Sequence, residues 1–63
     1  MIDRVYIETE SSLDTVQKVL SENGIDVKEV DGLLVADVPD SKDAVGEVTD
    51  LLDADGIICY VYE

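Results

Sequence analysis

Regularly spaced carboxylates are the feature of this chain that most resembles a binding site. Within residues 39–56, four of them recur at the helical intervals of three, four and three: Asp40, Asp43, Glu47 and Asp50. These intervals place all four along one side of a helix, opposite a side of apolar residues. We therefore predict an amphipathic helix that begins near Asp40 or Ser41 and ends at residues 55–56. We call the four carboxylates the acidic helix face and treat them as candidate partner contacts.

The acidic helix face allows several interpretations. It can be an ordinary solvated helix side, although like charges four residues apart cost roughly a few tenths of a kcal/mol and surface helices usually mix signs. It can mimic a phosphate backbone, or dock onto a basic protein surface. Haloadaptation would instead spread acids over the whole surface, and some such spread is present at Asp3, Glu8, Asp14, Asp26 and Glu29.

Metal binding and catalysis find little support in the residue types. Residues 53–56 read Asp-Ala-Asp-Gly, like the start of a calcium loop, but Ile57 and Cys59 stand where further oxygen ligands belong. Cys59 is the only cysteine and the chain has no His, which removes zinc binding and Cys–His catalysis together. Without Trp, Phe or His, there is little to build a dry pocket around paired carboxylates. We predict no metal, no cofactor and no enzyme activity.

A second candidate surface follows from alternation in the first and last predicted strands. If the apolar side of each strand faces the helices, four side chains point away from them together: Arg4, Tyr6, Tyr60 and Tyr62. Aromatics on an open sheet can stack nucleic-acid bases, but the basic motif of such domains is absent and the charge is unfavourable. We therefore predict that these residues contact a protein, either a host domain or a second copy of the chain. The plain alternative is that tyrosines with wet hydroxyls simply cover a two-layer sheet.

Periodicity places both candidate surfaces on six elements. Alternation predicts strands at residues 2–8, 25–30, 33–38 and 57–62, and apolar residues at helical spacing predict one helix after Ser11 or Ser12 and the acidic helix later. Turn residues mark where elements end: Asn23-Gly24 and Asp55-Gly56 after the helices, Asp31-Gly32 within a hairpin, and Pro39 after the third strand.

The order strand, helix, strand, strand, helix, strand has one familiar compact solution. It is an α+β fold, the ferredoxin-like βαββαβ two-layer sandwich, with a four-stranded antiparallel sheet in the order 4-1-3-2 and both helices on one face. The connections are short, so we predict that residues 1–63 form a single domain. An internal echo, VQKVLSENGIDV beside VTDLLDADGIIC, agrees with the pseudo-symmetry of this fold.

Composition limits the partners and the compartment. Sixteen acidic residues against four basic ones give a net charge of −12 in 63 residues. Binding to nucleic acid or to an anionic membrane would begin against repulsion, so we expect neither and favour a basic protein surface or a host domain. No segment approaches a signal peptide or the roughly 20 apolar residues of a membrane span. A single thiol without a disulfide partner suits a reducing compartment, and we predict a cytoplasmic protein.

Several features of residues 20–63 occur together. They are a hairpin over residues 27–38 that ends in Val-Pro-Asp, a helix ending in Leu51-Leu52, and Asp55-Gly56-Ile57 leading into a strand with Tyr60. In these features, about two-thirds of the chain resembles the small accessory domain at the C-terminal end of many ABC-transporter ATP-binding subunits. The resemblance implies a non-catalytic interaction or regulatory module and carries over no catalytic residue.

We predict that the chain is a non-enzymatic, acidic protein-interaction or regulatory module. One alternative is a freestanding inhibitor that mimics nucleic acid and occupies a host nucleic-acid-binding protein, as anti-CRISPR proteins do. Another is a haloadapted or designed fold with no dedicated ligand. Salt separates the last two, because mimicry requires salt-sensitive binding whereas haloadaptation requires stability that rises with salt.

Overall fold

The structure, a computed structural model, describes residues 2–40 and 42–63. Its elements are β1 (Ile2–Thr9), α1 (Leu13–Glu22), β2 (Asp26–Val30), β3 (Leu33–Pro39), α2 (Ala44–Ala54) and β4 (Cys59–Tyr62). The predicted α+β class, with one four-stranded antiparallel sheet and two helices, is confirmed.

β1 and β3 are the central strands of the sheet. The order across it is β2-β3-β1-β4, which is 4-1-3-2 when counted from the β4 edge. β1 is antiparallel to both of its neighbours, so Ile7 lies between Leu34 of β3 and Val61 of β4. β2 and β3 form a hairpin through Asp31 and Gly32, whose φ angles of 53° and 83° are typical of the tight turns that match strand twist.

The core lies between the two helices and one side of the sheet. Each helix buries residues four positions apart, Val16 with Leu20 in α1 and Val48 with Leu52 in α2. Alternate residues of β1 and β3 complete the same cluster: Val5, Ile7, Leu34, Ala36 and Val38. Burying each large side chain contributes roughly 1.5–3 kcal/mol. Both helices therefore pack against the same side of the sheet and leave the other side without a covering layer.

Both helices end with the same backbone motif. After α1, the Gly24 N–H donates to the Ser21 carbonyl at 3.1 Å and the Ile25 N–H donates to the Leu20 carbonyl at 3.0 Å. α2 repeats both bonds at 2.9 Å: Gly56 to Asp53 and Ile57 to Leu52. The two glycines have φ angles of 79° and 72°, in the left-handed region that Gly adopts most easily, and each following Ile is buried in the core. The internal echo in the sequence is this helix ending used twice.

The second helix begins later than predicted. Asp40 has a φ of 52° and stands in a turn before α2, so it does not cap the helix. Ser41, the other predicted start, lies outside the described residues. The N-cap is Asp43, whose carboxylate accepts a 3.0 Å hydrogen bond from the Gly46 N–H. Such a cap satisfies an amide that the first helical turn leaves without a partner, which contributes about 1 kcal/mol.

Two strands also begin later than alternation predicted, for one shared reason. Ile25 and Ile57 donate their N–H groups to the preceding helix, so strand pairing begins afterwards, at Asp26 and Cys59. Pro39, which was predicted to stop the third strand, is its last residue. A proline has no N–H to donate and is tolerated at the end of a strand.

Substitution of Gly56 tests the ending of α2. Gly56→Ala places a Cβ on a residue whose φ is 72°, and because that Cβ would meet nothing within 4 Å, the cost is one of backbone conformation. We expect a loss of about 1 kcal/mol in the free energy of unfolding, measured by urea denaturation. Gly56→Asn is the matched control and loses less, since Asn tolerates the left-handed region. A Gly56→Ala variant as stable as the parent would contradict this role.

Candidate interaction surface on the open sheet face

The side of the sheet opposite the helices is called the open face. Strand alternation and register place on it Ile2, Arg4, Tyr6 and Glu8 of β1; Asp26, Lys28 and Val30 of β2; Leu33, Val35, Asp37 and Pro39 of β3; and Tyr60 and Tyr62 of β4. Among the described residues, Val35 is the one buried apolar side chain outside the helix-side core, with 6% of its surface exposed. Its neighbours on the open face cover it, so this face has a small apolar centre of its own.

The three tyrosines lie together on the β1–β4 part of the open face, as alternation predicted. Tyr6 and Tyr62 are paired across β1 and β4, with ring centroids 5.7 Å apart and ring planes tilted by 32°. Tyr60 stacks on Tyr62 at 5.2 Å. Desolvation, and after it the negative charge of Glu8, raises the pKa of Tyr62 above the ordinary phenol value. Loss of the Tyr62 phenol proton is thus disfavoured further, and the neutral hydroxyl can donate a hydrogen bond.

Arg4 forms an ion pair beside the tyrosines. Its Nε donates to Oδ1 of Asp37, its neighbour across β1 and β3, at 3.0 Å. This hydrogen bond raises the pKa of Arg4, and it lowers the pKa of Asp37 below the ordinary aspartate value despite some opposing desolvation, with a smaller contribution from the charge of Lys28. Because both side chains keep contact with water, the pair adds little to stability. Its main effect is to hold the guanidinium against the sheet.

Apolar side chains around these polar groups are open to solvent. Ile2 is 66% exposed, Val30 49% and Tyr60 64%. A shallow groove on the same face is lined by Arg4, Tyr6, Lys28, Val30, Asp31, Leu33 and Val35. Exposed apolar and aromatic groups rimmed by polar residues are typical of protein contact surfaces.

The open face is nearly neutral although the chain is strongly acidic. It carries two cations, Arg4 and Lys28, against three carboxylates: Glu8, Asp26 and Asp37. The other thirteen carboxylates of the chain are accompanied by only two lysines. Negative charge is thus concentrated away from the open face, which is where a partner that is itself acidic meets the least repulsion.

The structure brings together only part of the predicted acidic helix face. Glu47 and Asp50 are exposed on α2, close to one helical turn apart. Asp43 is engaged as the N-cap, and Asp40 lies in the turn before it. Neither helix has a basic residue in its last turn, where the helix dipole favours one. The acidic helix face is shorter than the sequence predicted, but α2 has no basic residue that interrupts it.

Cys59 lies on the helix side of β4, partly buried against the core and without a disulfide. Burial, and after it the negative charge of Asp53, raises the pKa of its thiol, which disfavours the reactive thiolate. Within residues 2–40 and 42–63, no three Cys, Asp or Glu side chains are grouped so that they could hold a metal ion. Neither α1 nor α2 has the length and apolar character needed to cross a bilayer.

No protein-family model matches the chain, and no curated protein or solved structure is significantly similar to it. The chemistry of its own surfaces is therefore the basis for assigning a function.

Sequence reasoning identified the tyrosines and Arg4 but missed the β2 and β3 part of the open face. Lys28 and Val35 continue the row that Tyr6 and Tyr62 begin, because β2, β3, β1 and β4 pair at these positions. A signal was present in the turn at residues 31–32, which fixes how the β2–β3 hairpin pairs. The register of β1 against β3 is set by the shared core, and neither strand reveals it alone.

The pKa of Asp37 provides a test of the open-face ion pair. Because the folded state lowers this pKa, the pair contributes to stability above the unfolded pKa of the carboxyl group, and the contribution is lost as pH falls through the folded pKa. We expect carboxyl carbon NMR to place the Asp37 titration below that of an ordinary aspartate. Arg4→Gln should move it upward, and Lys28→Gln should move it less. Equal effects of both substitutions would contradict the dominant role of the Arg4 hydrogen bond.

Proposed function

We propose that this chain is a non-enzymatic protein-interaction or regulatory module that contacts its partner through the open face. The observation that carries the proposal is the tyrosine cluster, in which Tyr60 stacks on Tyr62 and is 64% exposed. Rigid aromatic side chains supply contact area at a low entropic cost, which is why tyrosine is enriched in protein interfaces. The near neutrality of this face supports the same proposal, because a partner meets less long-range repulsion here than at the acidic surfaces elsewhere on the chain.

The non-enzymatic part of the proposal is supported by the side chains present. The chain contains no His, and the raised pKa of the Cys59 thiol works against its use as a nucleophile. We also propose that the chain works in the cytoplasm, where this thiol stays reduced.

We propose further that the fold is a ferredoxin-like sandwich. The support is the βαββαβ order of elements, together with a sheet whose central strands are β1 and β3. The resemblance of residues 20–63 to the accessory domains of ABC-transporter ATP-binding subunits favours a regulatory role beside a larger assembly. Domains of this shape can present an open sheet as a contact surface without any catalytic group.

Mimicry of nucleic acid is the second candidate function, and it is favoured by the charges on the helices. Acidic residues continue to the C-terminal ends of both helices, Glu22 in α1 and Asp53 in α2, where the helix dipole makes them unfavourable. Stability alone does not select such residues. In this function, Glu47 and Asp50 would contact a basic nucleic-acid-binding protein in place of phosphates.

Two sets of substitutions separate these functions in affinity capture from lysate of the source cell. Tyr60→Ser removes the most exposed ring of the open face without touching the core. The double variant Glu47→Gln, Asp50→Asn removes two charges from α2 and spares the Asp43 cap. We expect Tyr60→Ser to lower capture of the partner by about tenfold or more, a typical loss at an aromatic hot spot. The double variant should leave capture nearly unchanged.

The double variant Glu10→Gln, Asp14→Asn, at and before the start of α1, is the matched charge control, since it changes the net charge equally and leaves both C-terminal helix ends unchanged. Capture that survives Tyr60→Ser but is lost in the α2 double variant, and that falls steeply as salt is raised, would replace the proposed function by mimicry.

A further inference from the structure

We infer that the partner of the open face is a second copy of this chain, in a two-fold symmetric dimer that packs sheet against sheet. The inference rests on the proposed function, since both require the open face to make a protein contact. It goes further by naming the occupant and the geometry.

Charge distribution favours a second copy in this arrangement. A basic partner would be drawn to the thirteen carboxylates elsewhere on the chain and not to a face whose two cations nearly balance three acids. The open face instead requires a surface that is nearly neutral and rich in apolar and aromatic groups, and it is itself such a surface. Sheet-to-sheet packing also turns both helix layers outward, which keeps most of the carboxylates of the two copies apart.

The register of the strands makes the open face complementary to itself. One row across the sheet reads Lys28, Val35, Tyr6, Tyr62, because these residues pair from β2 through β3 and β1 to β4. A two-fold axis that runs parallel to the strands, between β3 and β1, places this row opposite the same row of the second copy in reversed order. Lys28 then faces Tyr62 of the second copy, and Val35 faces Tyr6 of the second copy. The first contact is a cation on an aromatic ring, and the second closes the apolar centre.

The next row along the strands is complementary in the same way. Asp37 and Arg4 are neighbours across β3 and β1, so the same axis places Asp37 opposite Arg4 of the second copy. A two-fold axis perpendicular to the strands through the first row would instead put Lys28 on Lys28 of the second copy. If the axis is parallel to the strands, opposite charges therefore face each other. If it is perpendicular to them, like charges face each other. Sheets packed face to face keep their strand directions within about 30° of each other, so rows close to the two-fold axis still lie opposite one another.

The size of the open face sets the expected affinity. The four strands contain 24 residues in all, which at about 3.4 Å per residue and about 4.8 Å between strands give a flat footprint of roughly 400 Å² per copy. Stable interfaces bury about 800 Å² per partner, and smaller ones belong to weak, reversible complexes. We therefore expect a dimer that dissociates in the micromolar range. Two bodies of charge −12 repel each other, so raising salt should strengthen it.

Sedimentation velocity of the full chain, from low-micromolar to near-millimolar concentration at about 0.01 M and about 0.5 M NaCl, tests the dimer. We expect reversible dimerisation that is stronger at high salt. Lys28→Glu should weaken it by about tenfold or more, and so should Tyr60→Ser, which removes the ring stacked on Tyr62. Lys18→Glu on α1 is the matched control, because it brings the same change in net charge away from the open face, and it should leave dimerisation intact. Far-UV circular dichroism establishes that each variant is folded.

A chain that stays monomeric at every concentration and salt would overturn the inference, and so would a dimer that neither open-face variant weakens. If the chain is monomeric but Tyr60→Ser still abolishes capture of a different protein, the dimer is wrong while the proposed function stands. If neither open-face variant weakens dimerisation and Tyr60→Ser leaves capture unchanged, both proposals fail.

Discussion

Burial on one side of a single sheet is the constraint on which the rest of this structure depends. A chain of 63 residues buries only roughly 60% of its unfolded surface, and here it builds two helices that cover one side of four strands. The central strands must therefore alternate, with Val5 and Ile7 directed into the core and Arg4 and Tyr6 directed away from it. A partner that covers the second side would add to a small core, and binding would stabilise the fold.

Charge is arranged so that this second side differs from every other surface. Both helices carry acids at their C-terminal ends, where the helix dipole disfavours them, and the Asp43 carboxylate caps the start of α2. The helix layer therefore repels further acidic surfaces, including copies of itself. The open face, in contrast, pairs Arg4 with Asp37 and surrounds them with aromatic and aliphatic groups. Attraction through one face and repulsion through the other would give a contact a defined orientation.

Periodicity in the sequence was sufficient to predict the kinds of elements and which residues of β1 and β4 share a face. It misplaced the starts of β2 and β4 because the Ile25 and Ile57 N–H groups donate to carbonyls of the preceding helix. Alternation of apolar and polar residues carries no information about these hydrogen bonds. It misplaced the start of α2 because Asp40 and Asp43 are equally good caps by residue type, and only backbone conformation distinguishes them. Lys28 was missed because its place in the same row as Tyr6 and Tyr62 depends on register across three strand pairs.

Amide chemical shifts, followed by NMR while the chain is diluted from near-millimolar to low-micromolar concentration in about 0.5 M NaCl, test the sheet-to-sheet dimer through the open face most directly. Surface contacts change the shifts of the residues that make them, and this concentration range spans the micromolar dissociation constant expected of the dimer. The dimer predicts changes at Tyr6, Lys28, Val35 and Tyr62, with Glu47 and Asp50 unaffected. Changes centred on α2, or none at any concentration, would contradict it.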